Sequence, residues 1–571
     1  MKTKSIVLLL LGGILQSLPA SAESDRASVF PANAWGVYTW GNPKEVSRQS
    51  HPLVKGFPLV LRWSAIEPKP GVFRFDQQIG EMLQRAEADG FYTFLMVWVA
   101  PNAPRWLYEH GVPEVHMTPT IDPLGKPRDV TFQFYLDEDY IRYYHRMLEA
   151  FCHYVRDLPA GQRERILFIQ AAEGSTGDGW GYKGKPLNPQ FAIDDEQWGV
   201  FRINAWEVMK RALTDAGGNM VTPLLVNYDS NREDQYQWVL ANLPAIGLKN
   251  GMFSHGYHIS ETKTRLQNWR TFVSGVRTAG KEFFSRGEQD AEYRTYGWST
   301  QNIAQGLYWS GIFALHCGLD MWNVPTEACE GLTHQEAIGF FNKYAGHFDP
   351  ASSPAAFCAL RKGLDAADTT AYPEVAYGKA TKNNIDRYLK IAEGFRPFGA
   401  MQGDPPKAIG GGMLNRQAED HNDVGWEIAD GNFERFLTQI DPEGTSLGWW
   451  QKGPKKSIYS RFARSTEVKR GRRTLAFDLH DAFLGKGKAV EVRIVWLDEG
   501  KAEWKLCYNA PGDPAKTAMT VANSGSGEWK ERTVALPDFL PQNKGPSGAD
   551  LHLECSANGD LVLHLIEITK I

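Results

Sequence analysis

The stretch "ILFIQAAEGSTGDGW", residues 166–180, reads as a buried strand that ends on one carboxylate, Glu173, and opens into a glycine-rich loop. Apolar runs without strict alternation suit strands covered on both faces, as in a parallel sheet. The pattern recurs in "AWGVYTW" (34–40), "FPLVLRW" (57–63), "FYTFLMVWV" (91–99) and "TPLLVNYD" (222–229). It continues in "GMFSHGYH" (251–258), "KEFFSRGE" (281–288) and "LHCGLDMWNV" (315–324). Helix-like segments such as 77–89, 140–155 and 198–216 lie between most of these runs. Eight such units in roughly 370 residues predict an α/β fold, a (β/α)8 TIM barrel over residues 31–395. No G-x-G-x-x-G follows the first strand, which disfavours an open doubly wound sheet. The long third connection, residues 100–138, is where cleft walls are expected.

Near residues 396–420 the texture changes. "RPFGAMQGDPPKAIGGGMLNRQ" is rich in glycine and proline and reads as a linker. Beyond it, "AVEVRIVWL" (489–497), "EWKLCY" (503–508), "WKERTVAL" (529–536), "DLHLEC" (550–555) and "DLVLHLIEI" (560–568) alternate with period two. Residues 421–571 are therefore expected to form a C-terminal antiparallel β-sandwich, which binds carbohydrate or packs on the barrel. The composition break predicts that the two parts fold independently.

Lys2 and Lys4 precede an apolar run that ends before Ala20-Ser21-Ala22, the pattern of a secretory signal peptide covering residues 1–22. The mature chain is expected to be secreted or periplasmic, with no membrane partner after cleavage. A net charge of -5 over 571 residues leaves no basic footprint for nucleic acid. Six cysteines are too few for a disulfide scaffold, although Cys507 and Cys555 are candidates to pair. No metal-binding spacing is present and no cofactor is expected. The 19 tryptophans and 21 tyrosines suit either a large core or a sugar cleft, where rings stack on pyranose faces.

In a barrel of this kind the site is built at the C-terminal ends of the strands. Glu173 ends the fourth strand and Glu288 ends the seventh, and two carboxylates across one cleft are the minimum kit for glycoside hydrolysis. A desolvated, tightly flanked glutamate suits the proton donor, so Glu173 is expected as acid/base and Glu288 as nucleophile. Their carboxyl groups are then expected ~5–5.5 Å apart, the spacing for a retaining reaction. Asp178, Asp290 and Asp320 lie near strand ends as competitors, whereas Glu282 begins its strand.

The runs "RWSAIEPKPGVFRFD" (62–76) and "APRWLYEHGVPEV" (103–115) resemble the second- and third-strand signatures of clan A glycoside hydrolases, family 42 type β-galactosidases above all. The resemblance covers roughly residues 31–330 and implies the same roles for Glu173 and Glu288. It further implies Tyr257 as the aromatic partner of the nucleophile and Trp322 as the floor of a sugar subsite. Arg62, Trp63, Trp180 and His255, at or near the strand ends, complete the substrate-binding candidates. One departure stands out: the clan's asparagine before the acid/base is here Ala172, so a 2-hydroxyl contact falls to another residue such as Asn227. The implied activity is a retaining β-glycosidase acting on a polysaccharide or its oligosaccharides, a galactan first, with sulfated algal galactans included. An exo-acting β-galactosidase and a non-catalytic carbohydrate-binding barrel stay open as alternatives.

Overall fold

Eight parallel strands close into a barrel in chain order: β1 (Gly36–Trp40), β2 (Gly56–Arg62), β3 (Tyr92–Trp98), β4 (Ile166–Gln170), β5 (Leu224–Val226), β6 (Ala245–Lys249), β7 (Glu282–Glu288) and β8 (Met321–Pro325). β8 pairs with β1 over five residues and shuts the ring. From β2 onward each strand is followed by a helix: α1 (Glu81–Asp89), α2 (Glu138–Arg156), α3 (Asp195–Leu213), α4 (Glu233–Asn242), α5 (Lys263–Thr278), α6 (Ile303–His316) and α7 (Gln335–Tyr344). The connection from β1 to β2 holds only the turn Pro43–Glu45. This computed structural model describes residues 29–391 and 431–571, apart from 32, 101–102, 122–126, 129, 176–178, 180, 183, 227–231, 250–262, 290–301, 363–368, 371, 382–383, 385, 388–389, 451 and 486–488.

The helix ends are set locally. Asp137 caps α2 by accepting from the Tyr140 N–H, and Glu138 and Asp139 in the first turn complement the helix dipole. Asp194 and Gln197 form a capping box at α3. Gly90 ends α1 in the left-handed region, at φ 68°, which lets the chain turn directly into β3.

The lower barrel is packed with aromatic rings. Phe94 stacks on Phe168 at 5.0 Å, Phe168 meets Phe284 at 5.2 Å, and Trp35 closes on Phe284 at 5.7 Å. Gly247 makes room for them, since a Cβ there would lie 2.1 Å from Phe284 Cζ. The sixth strand is thus "AIGLK", not the expected 251–258, which lie outside the described residues. Its small residues exist to accommodate a neighbour's ring, so it carries little apolar signal of its own.

Two antiparallel sheets form the C-terminal part, with the chain's last strand, Val562–Lys570, inside the larger one. That strand pairs along one side with Val490–Leu497 and also with Ala355–Ala359, which falls within the span expected for the barrel. The sandwich therefore starts some 40 residues before the proposed linker, which itself lies outside the described residues.

The junction with the barrel is a shared core. Trp309 of α6 donates to the Ser460 carbonyl at 2.9 Å and packs on Phe462 at 4.8 Å. Phe313 meets Phe433 at 5.3 Å, and Lys343 of α7 reaches Glu567 at 3.0 Å. Independent folding of the two parts does not fit this interface. Cys507 and Cys555 are both free: Trp504, not Cys507, stands opposite Cys555.

Candidate active site at the barrel mouth

Registered residues of parallel strands share a face, so the aromatic interior fixes which side chains enter the mouth. Phe168 points inward, and on the same face of β4 follow Gln170 and then Ala172. On β7, Phe284, Arg286 and Glu288 share the inner face. Arg286 pairs in register with Lys249 of β6 and Met321 of β8, and Glu288 with Asn323. Trp98 of β3 is two steps of two above Phe94 and pairs with Arg62 of β2. Trp40 ends β1 on the inner side, 4.7 Å from the Arg286 guanidinium.

The mouth thus gathers half-buried Trp40 and Trp98, exposed Arg62, and a polar floor of Gln170, Lys249, Arg286, Glu288 and Asn323. Glu288 is buried and takes Arg286 on Oε2 at 2.6 Å and Lys249 on Oε1 at 3.3 Å. Aromatic faces beside a paired carboxylate can hold a sugar ring and present an anion to it. Among the described residues no cluster of three or more His, Cys, Asp or Glu side chains is placed to hold a metal ion.

Glu173 takes a different position. Ala172 lies two residues beyond inward-facing Gln170, so the next side chain, Glu173, turns to the outer face. There it is fully buried and accepts from the Trp206 indole N–H, while Arg202 Nε stands 3.6 Å from Oε2; both partners belong to α3. The structure does not bring the two glutamates onto one face of the wall, and Ala172 holds the inward position between Gln170 and the loop.

Two expected sugar contacts are also corrected. Trp322 pairs in register with Val37 and Gly287, which puts it on the outer face. It is fully buried against Phe341 of α7, 5.4 Å between rings, and over Gly311 of α6. Trp63 follows inward Arg62 and so faces outward, fully buried among Trp106, Tyr140 and Tyr144, with its N–H on Glu67 at 2.8 Å. Both are core residues because a one-residue step along a strand changes the face.

Asp320 lies at the opposite end of the barrel, where it accepts from the Ser285 N–H at 2.8 Å and burial pushes its carboxyl well above the usual range. Trp180, Asn227, His255, Tyr257, Asp178 and Asp290 lie outside the described residues, as does the expected signal peptide. No helix among the described residues is long and apolar enough to cross a membrane. Sequence reading missed Arg286, Lys249, Gln170, Asn323, Trp40 and Trp98. Counting by twos from Glu288 finds Arg286; Lys249 was hidden by the misplaced sixth strand.

No protein-family profile matches the chain, and no curated protein matches it. Solved structures do. The catalytic domain of a β-amylase from Paenibacillus polymyxa is 10% identical with a TM-score of 0.34, over 55% of this chain and 98% of that one. A family 42 β-galactosidase from G. stearothermophilus is 13% identical with a TM-score of 0.33, over 52% of each chain. A glucosidase from Croceicoccus marinus is 10% identical with a TM-score of 0.28, over 94% of this chain and 96% of that one. These are distant likenesses of fold, spread over several kinds of glycosidase, and together they do not single out family 42.

Proposed function

We propose that the chain is an exported glycoside hydrolase whose reaction takes place at the barrel mouth. The observation that carries this reading is Glu288: a buried, doubly paired carboxylate at the end of β7, set beneath two half-buried tryptophans and an exposed arginine. Paired with two cations it sits there as an anion, the form suited to attack an anomeric carbon or stabilise positive charge on it. In the retaining version of the reading, Glu288 is the nucleophile and Glu173 the proton donor, after its side chain leaves Trp206 and turns across the wall. A galactan or its oligosaccharides is the proposed substrate, sulfated chains included, with Arg62 as the exposed cation at the rim. Exo action on β-galactosides is the nearest variant.

One observation favours a second reading. Glu173 is held by α3 and Ala172 faces the mouth, which suits a barrel that binds carbohydrate without cleaving it. The two readings separate on purified protein incubated with galactans and aryl β-glycosides. Release of reducing ends or aryl alcohol, abolished by Glu288→Gln, supports the hydrolase. Retarded migration in galactan gels with no release from any substrate supports the binding protein.

A further inference from the structure

We propose that Arg286 is a positioning residue that fixes the orientation of Glu288 for attack, an inference that rests on the hydrolase reading above. Its guanidinium is fully buried and spans the barrel. Nε donates to Asn323 Oδ1 of β8 at 2.7 Å, one terminal nitrogen donates to Gln170 Oε1 of β4 at 2.8 Å, and the other to Glu288 Oε2 at 2.6 Å. The planar fork is thereby held at three points on three strands, with the Trp40 and Phe94 rings each 4.7 Å from its carbon.

A buried cation is costly, and an apolar side chain of similar volume would fill the floor with less loss of solvation. The floor keeps the arginine, and the arginine keeps one carboxylate oxygen in a fixed direction. Glu288 Oε2 is occupied by the fork, while Oε1 faces Lys249 at the longer distance of 3.3 Å. The two oxygens are therefore held differently: Oε2 by the fork at 2.6 Å, and Oε1 by the Lys249 ammonium at 3.3 Å. Lysine cannot replace this geometry, since one ammonium lacks the planar fork that reaches three acceptors at once. Gln170 and Asn323 serve the same end by holding the fork still, as supporting bonds do for a reacting group that must be kept within a fraction of an ångström.

The test uses full-length protein and the fastest of the 2,4-dinitrophenyl β-glycosides of galactose, glucose and xylose. Arg286→Met is expected to lower kcat by about a hundredfold with KM within about threefold, the pattern of a lost transition-state alignment. Arg286→Lys is expected to recover about a tenth of the wild-type rate by keeping the charge without the fork. If Arg286→Met fails to reach a folded state by circular dichroism, Gln170→Met carries the test, with a kcat loss of about tenfold expected at unchanged KM. Wild-type kcat in these variants, or a raised KM at constant kcat, overturns the inference and leaves the hydrolase intact. A wild-type protein that releases neither aryl alcohol from any of the three nor reducing ends from galactans overturns the hydrolase reading itself, and Arg286 falls with it; if only galactans are cleaved, the same variants are compared on galactan.

Discussion

The indole N–H of Trp206 is bonded to the carboxylate of Glu173, on the helix side of the barrel wall. A glutamate expected in the cleft is instead a tie between β4 and α3. Trp206→Phe removes the donor and leaves a buried acceptor short of a partner, a loss of about 1–3 kcal/mol. Under the hydrolase reading the same change releases the carboxylate toward the mouth. The ratio of turnover on slow-leaving to fast-leaving aryl glycosides is then expected to rise. Thermal unfolding and a leaving-group series measure the two effects, and a fall in that ratio would show that the hold of α3 serves proton donation.

Trp322→Ala should behave as a core truncation. The ring fills the layer between β8 and helices α6 and α7, so its removal leaves a cavity costing about 3–5 kcal/mol. Chemical denaturation of the variant measures this. A cost below about 1 kcal/mol with a large drop in activity would return the residue to the sugar site.

Residues 431–571 should not fold alone. Without Ala355–Ala359 the central strand Val562–Lys570 loses five paired residues and exposes a template for aggregation. The fragment is expected to be insoluble, or to lack a cooperative thermal transition, whereas the full chain shows one. A soluble fragment with a sharp melt would contradict the shared core at Trp309 and Phe462.

Acid should loosen the junction between barrel and sandwich. Burial lowers His316 and His564 from their ordinary value of 6.5 to about 3, and both rings sit at that interface. His316 Nδ1 accepts from the Glu434 N–H at 2.9 Å, and His564 Nε2 lies 3.0 Å from the Tyr308 hydroxyl. Between pH 6.5 and 3 the unfolded chain binds protons that the folded chain refuses, so stability falls as pH falls through that window. Each group contributes a slope of up to about 1.4 kcal/mol per pH unit. His564→Gln should flatten the decline in melting temperature between pH 6.5 and 4. An unchanged slope would mean that the ring is charged when folded.

The barrel was legible because seven of its strands carry long apolar runs, and the helices between them carry their own caps, such as Asp137 and Asp194. β6 was not, because Gly247 is selected by the ring of Phe284 on the next strand rather than by its own burial. Ala355–Ala359 was missed for a related reason: its partner, Val562–Lys570, lies two hundred residues on, and a short run of small residues names no partner. At the site, residue type misled where parity would have served. Trp63, Trp322 and Glu173 all sit one step from an inward neighbour, and that single step sends each to the outer face.

The division of labour between Glu288 and Glu173 gives the sharpest test. Glu288→Ala removes the carboxylate from the mouth and should abolish turnover, and azide entering the vacated space should yield a glycosyl azide of inverted configuration. Glu173→Ala should slow natural substrates yet spare dinitrophenyl glycosides, whose leaving group needs no proton in the first step. With those substrates azide should intercept the covalent intermediate and give the retained product. Because Glu173 also ties β4 to α3, its loss should cost about 3–5 kcal/mol of stability, the penalty for breaking a buried pair. Activity must therefore be compared at a temperature where both proteins are folded. A stability loss without any change in the leaving-group dependence would make Glu173 a strut alone. The proton donor would then have to come from another residue at the mouth, and a product of inverted configuration from the wild type would remove the retaining mechanism.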